Sequence, residues 1–343
     1  MKTELLKYLV CSGCMGSLKL SVTDYEQDEI IKGSLTCSKC IKSFSIERGI
    51  PRFVPDELAN AVKRTTASFG WQWNTLDPAI QHSHFDSPEV FLDFIKPVTS
   101  EFFCGKVVLD AGCGAGRFAQ LSQQFGAREV IGLDLSSSVE TAYAKTKDLS
   151  NIHIVQGDIY NPPFRKAFDY IYSVGVLHHL SEPQRGFQSL LRFLKKDGCI
   201  SVWVYGKENN GWLLKTIDPL RRHVTSWLPY PVLSGLCHLL AMGAYPWLKL
   251  VYKPINNLTR LTWLKRFLFY NDYVSYLAGF NYATIRTVIF DHLTPRLTHY
   301  ISHEELDHWF DSRAFGSATL SSKNNNSWRG LGEQYRGELN VQH

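Results

Sequence analysis

The chain has 343 residues, 44% hydrophobic and 20% charged, with a formal net charge of +5. That length allows two domains, or one large domain with an appendage, and the composition is that of a globular protein with a substantial core. The charge is mild, so its distribution carries more information than its size.

The first residues, Met1-Lys2-Thr3-Glu4, lead into a short mixed segment and not a long apolar one, so no secretory leader is expected and a cytoplasmic location is the default. Eight cysteines in such a compartment argue against a disulfide framework. Four of them form two knuckles, "CSGC" with Cys11 and Cys14, and "CSKC" with Cys37 and Cys40. Four thiolates at this spacing, separated by a polar hairpin-like stretch, close a tetrahedral zinc site with no position left for water, so the expected zinc is structural. A segment of about fifty residues has little core of its own, and the metal would supply its stability. Cys104, Cys113, Cys199 and Cys237 are scattered and read as buried thiols. This first unit is placed at 1–56, ending in the proline-marked "IERGIPRFVP", and a linker with an N-terminal helical segment, including "FGWQWN", at 57–104.

From Lys106 onward strand and helix alternate, with strands expected at 107–110, 129–134, 152–155, 169–174 and 199–205. Such alternation predicts a parallel sheet covered on both faces, with ligands beyond the carboxyl ends of its strands. The first strand runs into "VVLDAGCGAGRF", which has Asp110 ahead of Gly112, Gly114 and Gly116. No Lys-Ser/Thr pair follows, which excludes a P-loop, and an acid beside these glycines would repel a pyrophosphate. It suits a positively charged ligand such as S-adenosylmethionine. The second strand ends in Asp134, placed to accept from ribose hydroxyls, a feature that would equally suit a nicotinamide cofactor. Ser137 and Glu140 form a capping box for the next helix. The third strand gives "IVQGDIYNPPF", where Asp158 can accept from an adenine amino group and Ile159 can pack on the ring. After the fourth, "SVGVLHHL" brings His178 and His179, either as packed or capping histidines or as groups that contact substrate.

The ordered set "VLDAGCGAGRF", "GLDLS", "QGDIYNPPF", "SVGVLHHL" and "LLRFLKKDGCISVWVY" resembles the class I S-adenosylmethionine-dependent methyltransferases over 105–206. The resemblance implies an α/β, Rossmann-like, seven-stranded sheet. It also implies that Asp110, Gly112 and Gly114 line the methionine part of the cofactor, Asp134 the ribose and Asp158 the adenine. The N-terminal segment is similar to small zinc ribbons found beside or fused to methyltransferases, including a ribosomal RNA guanine methyltransferase.

Residues 207–300 are expected to form a hydrophobic, basic helical insertion. Its part 207–270 has nine Lys/Arg and two Asp/Glu, a net +7 that exceeds the charge of the whole chain, and ten aromatic residues. Within it 224–248 carries no Lys, Arg, Asp or Glu, a length that could span a bilayer. Pro229, Pro231 and Pro246 interrupt it, so a lid over the substrate cleft is expected, then an interfacial membrane contact through 224–248, with an extra subdomain or dimer face as the bland reading. The closing unit 301–343 should hold a helix capped by Ser302 and Glu305 and stapled by Ile301 and Leu306, a last strand near 316–322, and a polar tail "SSKNNNSWRG".

The expected activity is methyl transfer from S-adenosylmethionine to a small-molecule or lipid-like acceptor, with His178 or His179 as base where a hydroxyl must lose its proton. An RNA base acceptor is the alternative, supported by the ribbon and the basic insertion. A non-catalytic, cofactor-binding partner protein is a third reading.

Overall fold

The computed structural model describes residues 1–76 and 86–337; residues 77–85 of the expected linker and 338–343 of the expected tail lie outside the described residues. Four antiparallel strands open the chain: β1 Leu18–Glu26, β2 Glu29–Cys37, β3 Ser43–Glu47 and β4 Ile50–Phe53. The alternating core then follows with β5 Val107–Ala111, β6 Glu129–Asp134, β7 Ile152–Gly157, β8 Phe168–Val174 and β9 Leu194–Tyr205, mutually parallel. All five residues of β5 are buried, Asp110 among them, as in a strand covered on both faces. A last antiparallel pair, β10 Ser317–Lys323 and β11 Ser327–Glu333, completes the order β1-β2-β3-β4-β7-β6-β5-β8-β9-β11-β10.

The sheet therefore has 11 strands and not the expected seven. The cause is β4, which pairs in parallel with β7 through Arg52 opposite Gln156 and Phe53 opposite Gly157, and so joins the N-terminal strands to the edge of the core sheet. Leu35, Phe44 and Ile46 share one apolar core with Leu109, Val155 and Phe168. Arg52 fixes the junction further, bonding Gln156 at 2.6 Å and Glu140 at 2.7 Å.

That use of Glu140 also corrects the expected capping box. The helix Val139–Thr146 has no side-chain cap, because Glu140 turns to Arg48 and Arg52 while Ser137 bonds Asn74. The second box holds at its first half: Ser302 Oγ accepts from the Glu305 amide at 3.1 Å, and Ile301 and Leu306 are both buried.

Two helices precede the core sheet. Asn60–Thr75 crosses the carboxyl ends of the strands. Pro88–Ile95, capped by Ser87 and started by Pro88, buries Val90, Phe91, Phe94 and Ile95, with Phe91 stacked on Phe118 at 4.5 Å. The insertion is helical, as expected, with its longest helices at Tyr230–Trp247 and Tyr282–Leu293. The prolines do not break the first of these as the sequence suggested. Pro229 and Pro231 sit at its start, where a missing amide costs nothing, and Pro246 lies in its last turn before a π-helical turn at Leu248–Tyr252. No helix among the described residues is long and apolar enough to cross a membrane.

Candidate functional site

A cavity of about 360 Å³ lies beyond the carboxyl ends of β5 to β9. At one end it is walled by Gly112, Gly114, Asp134, Ser136, Asp158 and Ile159, and at the other by Tyr205, Tyr273, Asp291, His292 and Tyr300.

The glycine loop is shaped by sterics. Gly112 has φ +92°, and a Cβ there would come within 2.3 Å of Val176 Cγ2. Gly114 and Gly116 are also left-handed, at +51° and +78°, so the loop turns tightly into the helix Arg117–Gln124. Asp134 braces the loop: its Oδ2 accepts from the Gly114 amide at 2.9 Å, and Oδ1 from the Ser136 amide and hydroxyl at 2.8 and 2.7 Å. With about four acceptor positions on a carboxylate, it retains room for about one further donor. Asp158 accepts from the Tyr160 amide through Oδ1 at 3.0 Å.

Asp110 does not line the cavity. It sits beneath the loop, 2% exposed, with Oδ2 lacking any partner. Burial, reinforced by the charge of Asp134 and opposed by Tyr172 and the Arg117 guanidinium, pushes its pKa up to about 8, so the carboxyl is mostly protonated at neutral pH. Burial likewise raises the pKa values of Asp134 and Asp158.

The two adjacent histidines part company. His178 is fully buried behind the wall, its ring tilted against that of Tyr205 at 4.0 Å, with neither ring nitrogen bonded. Burial holds its pKa well below the usual histidine value. His179 faces the cavity, and burial lowers its pKa to about 3. Its Nδ1 lies 2.8 Å from the Leu297 carbonyl, which can only accept. That contact assigns the proton to Nδ1 and leaves Nε2 as an acceptor.

Several wall residues carry no local signature in the sequence. Phe69, Gln72 and Trp73 reach the cavity from Asn60–Thr75, with Trp73 Nε1 3.2 Å from where a Gly114 Cβ would stand. The stretch Asn324-Asn325-Asn326 is the turn between β10 and β11, and Asn324, Asn326 and the preceding Lys323 border the cavity, so the polar run curls back to the cleft. At the far end Tyr205 donates to Asp291 at 2.7 Å and Tyr273 pairs with His292 Nε2 at 2.8 Å, while His292 Nδ1 and Tyr300 Oη have no partner. Burial lowers the His292 pKa to about 4.

Away from the cleft, the Sγ atoms of Cys11, Cys14, Cys37 and Cys40 all lie within 4.8 Å of one another, with Cys11 to Cys40 at 3.6 Å and Cys14 to Cys37 at 3.5 Å. Thiolates about 2.3 Å from one zinc ion form a tetrahedron with edges of about 3.8 Å, so the donor set fits that metal. The amides of Cys40 and Lys39 point at Cys37 Sγ from 3.4 and 3.3 Å and lower its pKa to about 6. Gly16 leaves the sulfurs room, since a Cβ there would meet Cys37 Sγ at 2.8 Å.

Residues 109–202 match the family described as a methyltransferase domain. A tRNA U34 carboxymethyltransferase from Shewanella amazonensis is 28% identical over 171 residues, 44% of this chain and 46% of that protein. A trans-aconitate 2-methyltransferase from Deinococcus radiodurans is 38% identical over 142 residues, 40% of this chain and 54% of the relative. The chain thus spans about half the length of the curated relatives it matches. Among solved structures, an S-adenosylmethionine-dependent methyltransferase from Mesorhizobium loti is 26% identical, covers 32% of this chain and 55% of its own, and has a TM-score of 0.28.

Proposed function

We propose that the chain is an S-adenosylmethionine-dependent methyltransferase that holds its cofactor between the loops after β5, β6 and β7. The observation that carries this reading is the glycine loop braced by Asp134, with Asp158 beside it in the cavity wall and the buried Asp110 beneath, in a segment that matches a methyltransferase domain. When bound, S-adenosylmethionine supplies an electrophilic methyl group on a positively charged sulfonium. Asp110 would answer that positive charge, Asp134 would take a ribose hydroxyl with its remaining acceptor position, and the free oxygen of Asp158 would take the adenine amino group above Ile159. His179 would receive the acceptor's proton on Nε2 where one must leave, as a weak base whose pKa of about 3 keeps it neutral before and after the transfer. The four-cysteine cluster would bind one structural zinc ion that anchors β1 to β4 and takes no part in the chemistry.

For the acceptor, the names of the curated relatives support RNA better than the small-molecule or lipid-like acceptor expected from the sequence, and we propose an RNA base. The tyrosines at the far end of the cavity offer faces for an extruded base. A small acid is the second reading, favoured by the trans-aconitate relative and by the unpartnered donors His292 Nδ1 and Tyr300 Oη in an enclosed wall. The test is incubation of the chain and methyl-labelled cofactor with separated RNA, lipid and small-molecule fractions of its host. Label in RNA is expected; label confined to small molecules would replace the first reading by the second.

A further inference from the structure

Among the described residues, fourteen of the seventeen large apolar side chains that stand exposed lie between Leu220 and Phe269. Soluble surfaces seldom concentrate them in this way. The helix Tyr230–Trp247 explains much of the concentration, because it has two apolar sides. Leu233, Cys237 and Ala241 are wholly buried, the first two in one cluster with Phe290 and Leu293. Val232, Leu236, Leu239, Leu240 and Trp247, spaced to share the other side, face outward and are 37% to 66% exposed. Trp263, Phe267 and Phe269, further along the insertion, are exposed as well.

The charge around this patch has one sign. From 219 to 271 there is no Asp or Glu and there are seven Lys or Arg. Lys253, Arg260 and Arg266 are exposed among the apolar groups.

We propose that this face docks in the plane of an anionic lipid bilayer, with the outer side of Tyr230–Trp247 and the aromatic residues after it in the acyl boundary and the basic residues at the headgroups. Three observations select this occupant. The helix is not one that crosses a membrane, so the surface lies on the bilayer. Nine of the fourteen exposed groups are aliphatic, which gain from acyl chains and offer neither stacking faces nor charge to a nucleic acid. A second copy of the chain would bring two basic faces together. The inner side of the same insertion walls the far end of the cavity through Tyr273, Asp291 and His292, so docking would set the cleft at a fixed height above the lipid. This inference concerns the outer surface and holds for either acceptor.

The test uses the full chain in sedimentation with vesicles of phosphatidylcholine mixed with phosphatidylglycerol, against phosphatidylcholine alone. The chain is expected to bind the anionic vesicles and to lose at least about tenfold of that affinity in Leu236→Glu/Leu240→Glu/Trp247→Glu. The charge variant Lys253→Glu/Arg260→Glu/Arg266→Glu should lose binding in a salt-dependent way. All six positions are solvent-facing, and unchanged circular dichroism and cofactor affinity would show both variants folded. No binding by the native chain, or equal binding by the folded apolar variant, overturns the proposal. So does a native dimer that the apolar variant renders monomeric, or RNA binding that both variants lose while vesicles fail to compete.

Discussion

At the cofactor end of the cleft the working groups stand on loops that directly follow β5, β6 and β7, each within a few residues of its strand. At the far end, Tyr205, Tyr273, Asp291, His292 and Tyr300 come from β9, two helices of the insertion and its return, brought together by packing. The first end is fixed by local backbone geometry and the second by tertiary contacts. Substitutions at the first should therefore act on cofactor binding, and at the second on turnover.

The largest effect is expected outside both ends. Because β1 to β4 share a sheet and a core with the cofactor end, Cys37→Ser/Cys40→Ser should release zinc and unfold the N-terminal strands, lowering the melting temperature of the whole chain. Elemental analysis and thermal denaturation check this; zinc content at the native level in the double variant would contradict it. Next comes Gly112→Ala, whose methyl group would strike Val176 on a backbone at φ +92°. Backbone strain of about 1–3 kcal/mol adds to the clash, so cofactor affinity should fall by about tenfold or more, and Val176→Ala should restore part of it. Both quantities are read by calorimetry.

His179→Asn should lower turnover by about a hundredfold while cofactor affinity stays within about twofold, the pattern of a lost proton acceptor. An equal loss in cofactor affinity would erase the distinction between the two ends. The smallest effect, read over a single pH unit near neutrality, is a pH dependence set by Asp110. Its pKa is raised from 3.8 to about 8 in the folded chain, so the folded state holds a proton that the unfolded state has lost. The stability this contributes is complete below about pH 4 and is lost as pH rises toward 8, by at most about 1.4 kcal/mol per unit. A cationic ligand favours the carboxylate, so cofactor affinity should instead rise with pH up to about 8 and then level off, and Asp110→Asn should flatten both profiles.

The same contrast explains what could be read from the chain. The core strands follow from largely apolar segments alternating with helical ones, and the expected bounds for β6, 129–134, are those observed. Paired CxxC spacing identified four sulfurs that the fold does bring together. The far end of the cleft had no such signature: Asp291 and His292 lie in "FDHL", an ordinary helical stretch, and gain their meaning from Tyr205 and Tyr273 across the cavity. The edge pairing of β4 with β7 was equally hidden, since a four-residue strand rich in turn signals carries no mark of its distant partner. Trp73 and Gln72 were in plain view, but a helix laid across strand ends looks in sequence like any linker helix.

The central claim is that the glycine loop and its carboxylates bind S-adenosylmethionine. Calorimetric titration of the full chain with S-adenosylmethionine, and separately with NADH, tests it most directly. The account predicts one S-adenosylmethionine bound per chain, weakened in Gly112→Ala, and no heat from NADH. Saturable NADH binding with none of S-adenosylmethionine would contradict it.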